Sequence, residues 1–365
     1  MMSFYRRVSF FGFIRVSAML VCLVGVPELV YAQNCRDSDR PFVSIYFEND
    51  IFFGTDQSYT DGVKLLRARC LEKGDDEEKP ELQPPRWVPA EFFRRKFGPS
   101  CFEDPDTCWR WWGGWTIGQN MYTPQDIRDS TIIEDDRPYG GWLYIGKVLY
   151  IFRPDQLDQK ATLHAFELDV GVTGVPSLAK QAQTFIHAHI SPKSPNPEGW
   201  EHQIRFEPTV QLQYTGRQRT LDGKKKSGQR FFDLLPEWNL LLGNVFTYAG
   251  AGGTARLGHN LGDDFGSPRN VAVAPGMGER SKWEYYLFGG FTVRVVAHNI
   301  FLTGGIRRDS PHTVGKEYLV GDVEVGGFLR YKRYAVTFRW VRRSPEFNKR
   351  IIFQEYGAIN VTLLL

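Results

Sequence analysis

The sequence predicts an all-β fold: a transmembrane barrel of about twelve antiparallel strands, with one helix in its third extracellular loop. Three observations carry this: an alternation of polar and apolar residues that returns to the last residue, an export signal, and no apolar run long enough for a helical span. Over residues 203–214, Ile204, Phe206, Val210, Leu212 and Tyr214 fall on one face of a strand. Gln203, Arg205, Glu207, Thr209, Gln211 and Gln213 fall on the other. The charges on that second face are too costly for a dry core, whereas a wall between lipid and a wet lumen accommodates both faces.

The first residues read as a removable address. Arg6, Arg7 and Arg15 supply positive charge, an apolar run follows over 16–26, Pro27 breaks it, and Val30-Tyr31-Ala32 fits a signal peptidase site. Cleavage is expected after Ala32, leaving 33–365 as one barrel domain. No stretch of about 20 apolar residues, the length of a membrane-spanning helix, occurs. An aromatic content of 15%, 36 glycines and a mean hydropathy of −0.35 agree with a barrel, in which only every second strand residue meets lipid. The net charge of +3 falls to about +1 when Arg6, Arg7, Arg15 and Glu28 leave with the signal, which gives no argument for a nucleic-acid partner.

Cys35, Cys70, Cys101 and Cys108 remain after export. An oxidising compartment permits bridges between them. Cys101 and Cys108 flank an Asp/Pro turn and are a local candidate pair, but four cysteines allow three pairings, and no C-x-x-C spacing points to a metal.

Strand-like stretches run over 42–47, 59–69, 110–121, 142–152, 161–172 and 203–215, then 231–242, 247–257, 284–296, 318–331, 334–341 and 356–365. In the fifth, Phe166, Leu168, Val170 and Val172 oppose Glu167, Asp169 and Gly171. In the last, Ile359, Val361, Leu363 and Leu365 oppose Ala358, Asn360 and Thr362. Trp109, Trp111, Trp112 and Trp115 cluster at one strand end, as an interfacial girdle does. The long segments 71–106, with a short helix expected near 89–97, and 262–282 read as irregular turns on the periplasmic side.

With the mature N-terminus in the periplasm, the loops after odd strands lie outside the cell, and the unusual polar segments gather at one rim. The third outer loop, 175–200, opens on Pro176, which suits a first helical position, and 177–190 follows with helical spacing. Leu178, Ala182, Phe185 and His189 share one face; Lys180, Gln183 and His187 share another, with Gln183 and His187 one turn apart. Such a helix fits across the barrel mouth as a lid, and the bland reading of its polar face is that it is solvated. In the first outer loop Asn49, Asp50, Asp56, Ser58, Thr60 and Asp61 offer hard oxygen donors of the kind calcium takes, although Asp and Asn are also ordinary turn residues. Along the second strand, parity with Gly62 and Lys64 places Thr60 toward the lumen. Asn49 and Asp50 are adjacent, so a bulge or loop must turn one of them. Asp135-Asp136-Arg137 offers a local ion pair bracing the Pro138 turn, and His259 and His298 sit in turn-like contexts. No G-x-S-x-G elbow, H-E-x-x-H or P-loop occurs.

At these residues the chain resembles the outer-membrane lipid A 3′-O-deacylases. The matching pieces, in family order, are Phe47-Glu48-Asn49-Asp50, Tyr59-Thr60-Asp61-Gly62, Tyr122-Thr123-Pro124, Asp136-Arg137-Pro138-Tyr139-Gly140-Gly141-Trp142 and Asp169-Val170-Gly171-Val172 with Gly174. Gln183-Thr184-Phe185-Ile186-His187, Gly199-Trp200 with Gln203, and Arg343-Ser344-Pro345-Glu346-Phe347 follow. The resemblance implies a twelve-stranded barrel in the outer membrane with its site on the extracellular side. It implies a calcium-dependent ester hydrolase that removes the 3′-linked acyloxyacyl group of lipid A in the outer leaflet, with lipopolysaccharide and membrane lipid as its partners. His187 is then the general base, Gln183 orients the site, Asn49 and Thr60 match site residues of the first loop, and Asp50 and Glu198 are the implied calcium ligands. A lysine of the family's second outer loop has no counterpart in 123–137, where Arg128 and Arg137 are the only cations. Alternation alone would favour a non-catalytic barrel, a narrow pore or a structural or adhesive surface protein, and a phospholipase barrel is a third reading.

Overall fold

The computed structural model describes residues 41–49, 58–70, 110–153, 155, 160–189, 195–262, 265–266, 283–307, 309–349 and 353–365. The signal segment, Asp50, Cys35, Cys101, Cys108, Trp109 and the expected helix near 89–97 lie outside them. The strands are β1 (Phe42–Asn49), β2 (Ser58–Cys70), β3 (Arg110–Thr123), β4 (Gly140–Arg153), β5 (Thr162–Thr173), β6 (Pro208–Gln218) and β7 (Leu221–Lys224). Then come β8 (Arg230–Gly243), β9 (Phe246–His259), β10 (Trp283–Asn299), β11 (Leu319–Tyr331), β12 (Tyr334–Arg343) and β13 (Gln354–Leu364). Two helices accompany them, α1 (Ala179–His189) and α2 (Ile300–Thr303).

Every neighbouring pair is antiparallel. β13 returns to β1, with Ile45 opposite Val361, and β6 meets β8, with Leu212 opposite Leu242, so the sheet closes on itself. β7 pairs with β8 alone and prolongs β6 along it, so the barrel has twelve staves, as expected. The sixth stave is shorter than its alternation: it starts at Pro208, and residues 203–207 leave a short helical turn as loop. Cys70 is disulfide-bonded.

Closure settles which face is which. Along β6, Thr209, Gln211 and Gln213 are buried while Val210 and Leu212 are exposed. The lumen is a lattice of paired charges that a dry core would not tolerate singly. Lys64 Nζ lies 2.6 Å from the Glu167 carboxylate, Gln213 donates to Asp169 at 2.6 Å, and Arg256 donates to Asp233 at 2.6 Å. Outside, Leu287, Leu257 and Phe291 stand exposed, as a lipid-facing wall requires. Parity divides the tryptophans expected to form a girdle. Trp115 faces out, but Trp112 is fully buried with Phe42, Leu66 and Phe265 in an apolar cluster at the end where the chain enters β1.

The opposite end is closed as well. α2 carries Ile300 and Phe301 inward, and Phe301 stacks on Tyr122 at 4.0 Å among Trp142, Tyr144, Val245, Val341 and Tyr356. Between the two plugs lies a cavity of about 140 Å³ lined by residues that include Glu48, Lys64, Gln213, Arg294 and Glu346. Among the described residues, apolar clusters thus stand at both ends of the lumen.

Candidate active site

Strand register builds the site. Asn49 pairs with Asp61, Asp61 with Met121, and Met121 with Gly141, so one row crosses β1 to β4 at the rim. Parity turns that row outward. Tyr122 and Gly140, one residue along, belong to the lumen plug: a Cβ on Gly140 would meet Phe301 at 2.7 Å. A Cβ on Gly141 would instead meet Ser177 Oγ at 2.2 Å and Ala179 Cβ at 2.3 Å, the start of the helix. Only glycine allows α1 so close to the strand. The helix therefore lies against the outer face of the wall, not across the mouth of the barrel. Gln119, also outward, donates to the Ser177 carbonyl at 2.5 Å.

The helix begins later than its spacing predicts. Val175–Ser177 is a 3-10 turn with Pro176 in its first turn, Leu178 takes a left-handed conformation at φ 58, and α1 runs from Ala179. Ala179, Gln183 and His187, four residues apart, form its buried face. Leu178 and Phe185 on the apolar face are 51% and 55% exposed. Gln183 and His187 are thus packed against the wall with Ala182 and Ile186 beside them, while Lys180, Gln181, Thr184, Phe185 and His189 are exposed. The expected solvation of the polar face fails for Gln183 and His187 and holds for Lys180.

Each buried polar group on that face has a specific neighbour. His187 Nδ1 is 2.7 Å from the Pro195 carbonyl. A carbonyl only accepts, so Nδ1 carries the proton, and the lone pair of the neutral ring is on Nε2. Gln183 Oε1 accepts from the Trp200 indole N–H at 2.7 Å, while the buried Gln183 Nε2 has no partner. Trp200 packs on Tyr139 at 5.0 Å and on Met121, Ile127 and Ala179. Met121 ties this cluster to the row that ends in Asn49.

Asn49 is buried at the end of β1. Thr60 falls at a break in the β2–β3 register, between the pairs Tyr59–Tyr122 and Asp61–Met121. The bulge lies in β2. Glu198 is exposed before the short 3-10 turn Gly199–His202, and its N–H donates to the Ile127 carbonyl at 2.8 Å. Among the described residues no three His, Cys, Asp or Glu side chains gather as a metal site.

Sequence reasoning missed how two motifs join. Arg137, fully buried, donates to Glu346 at 2.7 Å and lies between the rings of Tyr122 and Phe347, at 5.4 and 5.6 Å. The expected local ion pair is replaced: Asp136 accepts the backbone N–H groups of Gln125 and Arg137 at 2.6 and 2.7 Å. Burial raises the Glu346 carboxyl, but the guanidiniums of Arg343, Arg137 and Arg294 outweigh it and bring its pKa to about 2. His312 Nε2 donates to the Asp136 carbonyl of the same loop at 2.7 Å, and His298 Nε2 donates to the Asn244 carbonyl at 3.0 Å. Glu346, Arg137 and Tyr139 thus form a brace running from the last outer loop to Trp200.

The sequence profile of the family described as "Outer membrane protein LpxR" matches residues 16–365. The chain belongs to the LpxR family. This is the family of the outer-membrane lipid A 3′-O-deacylases, ester hydrolases of lipid A. Among solved structures, LpxR from Salmonella typhimurium is similar in fold, with a TM-score of 0.66 at 19% identity over 89% of this chain and 100% of that one. The β domain of the Bordetella autotransporter BrkA covers 90% of this chain and 100% of its own at 9% identity, with a TM-score of 0.39. The translocator domain of NalP from Neisseria meningitidis covers 98% and 97% at 8% identity, with a TM-score of 0.40. A comparison with curated proteins finds none that matches.

Proposed function

We propose that the chain removes the 3′-linked acyloxyacyl group of lipid A in the outer leaflet, with His187 as general base on the lipid-facing side of the wall. The observation that carries this reading is the burial of Gln183 and His187 on α1, which packs against β3 and β4. A site on the outside of the barrel meets an anchored, amphipathic substrate laterally, within the membrane. Val175 and Leu178 just before the helix and Phe185 on it are exposed apolar groups available to that leaflet.

The chemistry follows from the tautomer. His187 Nε2 takes a proton from a water whose oxygen attacks the ester carbonyl carbon; the ester C–O bond then breaks, and the imidazolium gives the proton to the departing alkoxide, which leaves as the hydroxyl. The Pro195 carbonyl stabilises the N–H of the imidazolium, and Gln183, held by Trp200, fixes the helix face one turn away. Asn49 and Thr60 supply the polar groups of the facing lip. Asp50, which adjoins Asn49 in sequence, and Glu198 are carboxylates; oxygen donors of this kind suit calcium, which when bound would stabilise negative charge on the carbonyl oxygen. Mass spectrometry of lipid A from cells expressing the protein tests the reading. Loss of the 3′-linked acyl mass, abolished by chelation of calcium and by His187→Ala, supports it; unchanged lipid A refutes it.

A further inference from the structure

The outward face of the wall is not uniform. On β5, β10 and β11 it presents exposed Leu168, Val170, Leu287, Phe291, Val323 and Val325. On β2 and β4 the pattern breaks. Parity with Val63 and Leu65 places Arg67 and Arg69 outward, both exposed, and parity with Leu143 and Ile145 places Lys147 outward. Register makes these cations neighbours across β3: Arg67 pairs with Trp115, and Trp115 pairs with Lys147. Trp115 is 55% exposed, and Lys147 Nζ lies 4.3 Å from the centre of its ring. Below the rim, the outward positions described on β1 to β5 carry no Asp or Glu.

Such cations are costly in a lipid-facing wall at mid-depth and cheap near its edges. Arg67 and Arg69 stand three residues and one residue from the end of β2, the end remote from α1. Lys147 stands six residues from the end of β4, roughly 15 Å in height at ~3.3 Å per residue and a ~40° tilt. Its ammonium is brought back over Trp115, the ring that separates it from Arg67. The cations therefore converge on one place near the membrane edge opposite the helix, with an indole beside them and the apolar Ile117 and Ile145 above, both about half exposed. A single phosphate diester with two acyl tails matches this arrangement. Its anionic oxygens meet guanidinium pairs, and its tails run along the isoleucines. The rim row at Asp61 is six residues, roughly 20 Å, further along β2 from Arg67, so this place is separate from the deacylation site.

We propose that Arg67, Arg69, Trp115 and Lys147 form a binding site for the headgroup of an anionic phospholipid in the leaflet opposite α1. The full chain, reconstituted in nanodiscs of phosphatidylethanolamine with and without phosphatidylglycerol, is released into native mass spectrometry to read the retained lipid. Retention of phosphatidylglycerol over phosphatidylethanolamine by roughly tenfold is expected, with loss of that preference in the Arg67→Gln, Lys147→Gln double variant and its recovery in Lys147→Arg. Lipid A deacylation in detergent by the double variant is expected to stay at the wild-type rate, which also shows that the barrel is folded. Equal retention of the two lipids by the wild type overturns the proposal, as does an undiminished preference in the double variant. Displacement of the lipid by millimolar inorganic phosphate, or preferential retention of lipid A at this place, also overturns it.

Discussion

Two faces of the same rim, one residue apart, do opposite work. Inward, Tyr122 and Gly140 receive α2, and Phe301 fills the lumen with an aromatic plug. Outward, Met121 and Gly141 receive α1, and the helix presses an imidazole and an amide against the wall. The inward face has been made inert by packing, whereas the outward face keeps buried polar groups, including the unpartnered Gln183 Nε2. The cavity inside the barrel is about 140 Å³, small for a lipid, which favours the outer face for the proposed chemistry.

The comparison breaks most decisively at His187. His187→Ala is expected to lower lipid A deacylation by at least about 10² in initial rate while leaving the heat-dependent gel mobility of the folded barrel unchanged. Next in size is the brace. Glu346→Ala leaves Arg137, Arg294 and Arg343 facing one another without the carboxylate, and a loss of ~3–5 kcal/mol in unfolding free energy is expected by denaturant titration.

The same carboxyl sets a pH dependence. Its pKa is lower in the folded state, about 2, than the ordinary 4.5, so the unfolded chain binds this proton more readily. The stabilisation, about 3 kcal/mol, is complete above the ordinary value and is lost as pH falls from about 4.5 toward 2. In Glu346→Gln this part of the acid sensitivity is expected to disappear from the unfolding curves. The smallest effect is expected for Trp200→Phe, which keeps the ring against Tyr139 but removes the N–H that holds Gln183. A loss of ~1–3 kcal/mol, read mainly in kcat, follows if Gln183 aligns the helix face.

Much of the barrel was legible because period-two alternation is written residue by residue. Glu167 and Asp169 against Leu168 and Val170 announce a stave, its two faces and its neighbours' environment. His187 and Gln183 were legible as a pair because four residues is one helical turn. The docking of the helix was not. Whether α1 crosses the mouth or lies on the wall is decided by a missing side chain at Gly141, and a glycine beside another glycine carries no such sign in sequence. Nor was the burial of Gln183 and His187 legible, since by spacing Phe185 reads as the core face, and in the structure it is exposed. Arg137 was assigned to its neighbour Asp136 because sequence shows proximity along the chain; its carboxylate partner, Glu346, is 209 residues away. Trp112 was grouped with a girdle by composition, and parity sends it inward.

The central claim, chemistry on the outer face with an inert lumen behind it, is tested most directly by a matched pair of single-methyl additions on adjacent residues of one strand. Initial rates of lipid A deacylation are measured for Gly141→Ala and Gly140→Ala, with folding checked by gel mobility. Gly141→Ala pushes a methyl into Ser177 and Ala179 and is expected to slow the reaction about tenfold or more by displacing α1; Gly140→Ala pushes one into Phe301 and is expected to stay within about twofold of the wild type. A folded Gly141→Ala barrel with the wild-type rate, beside a Gly140→Ala barrel that has lost it, would contradict the account.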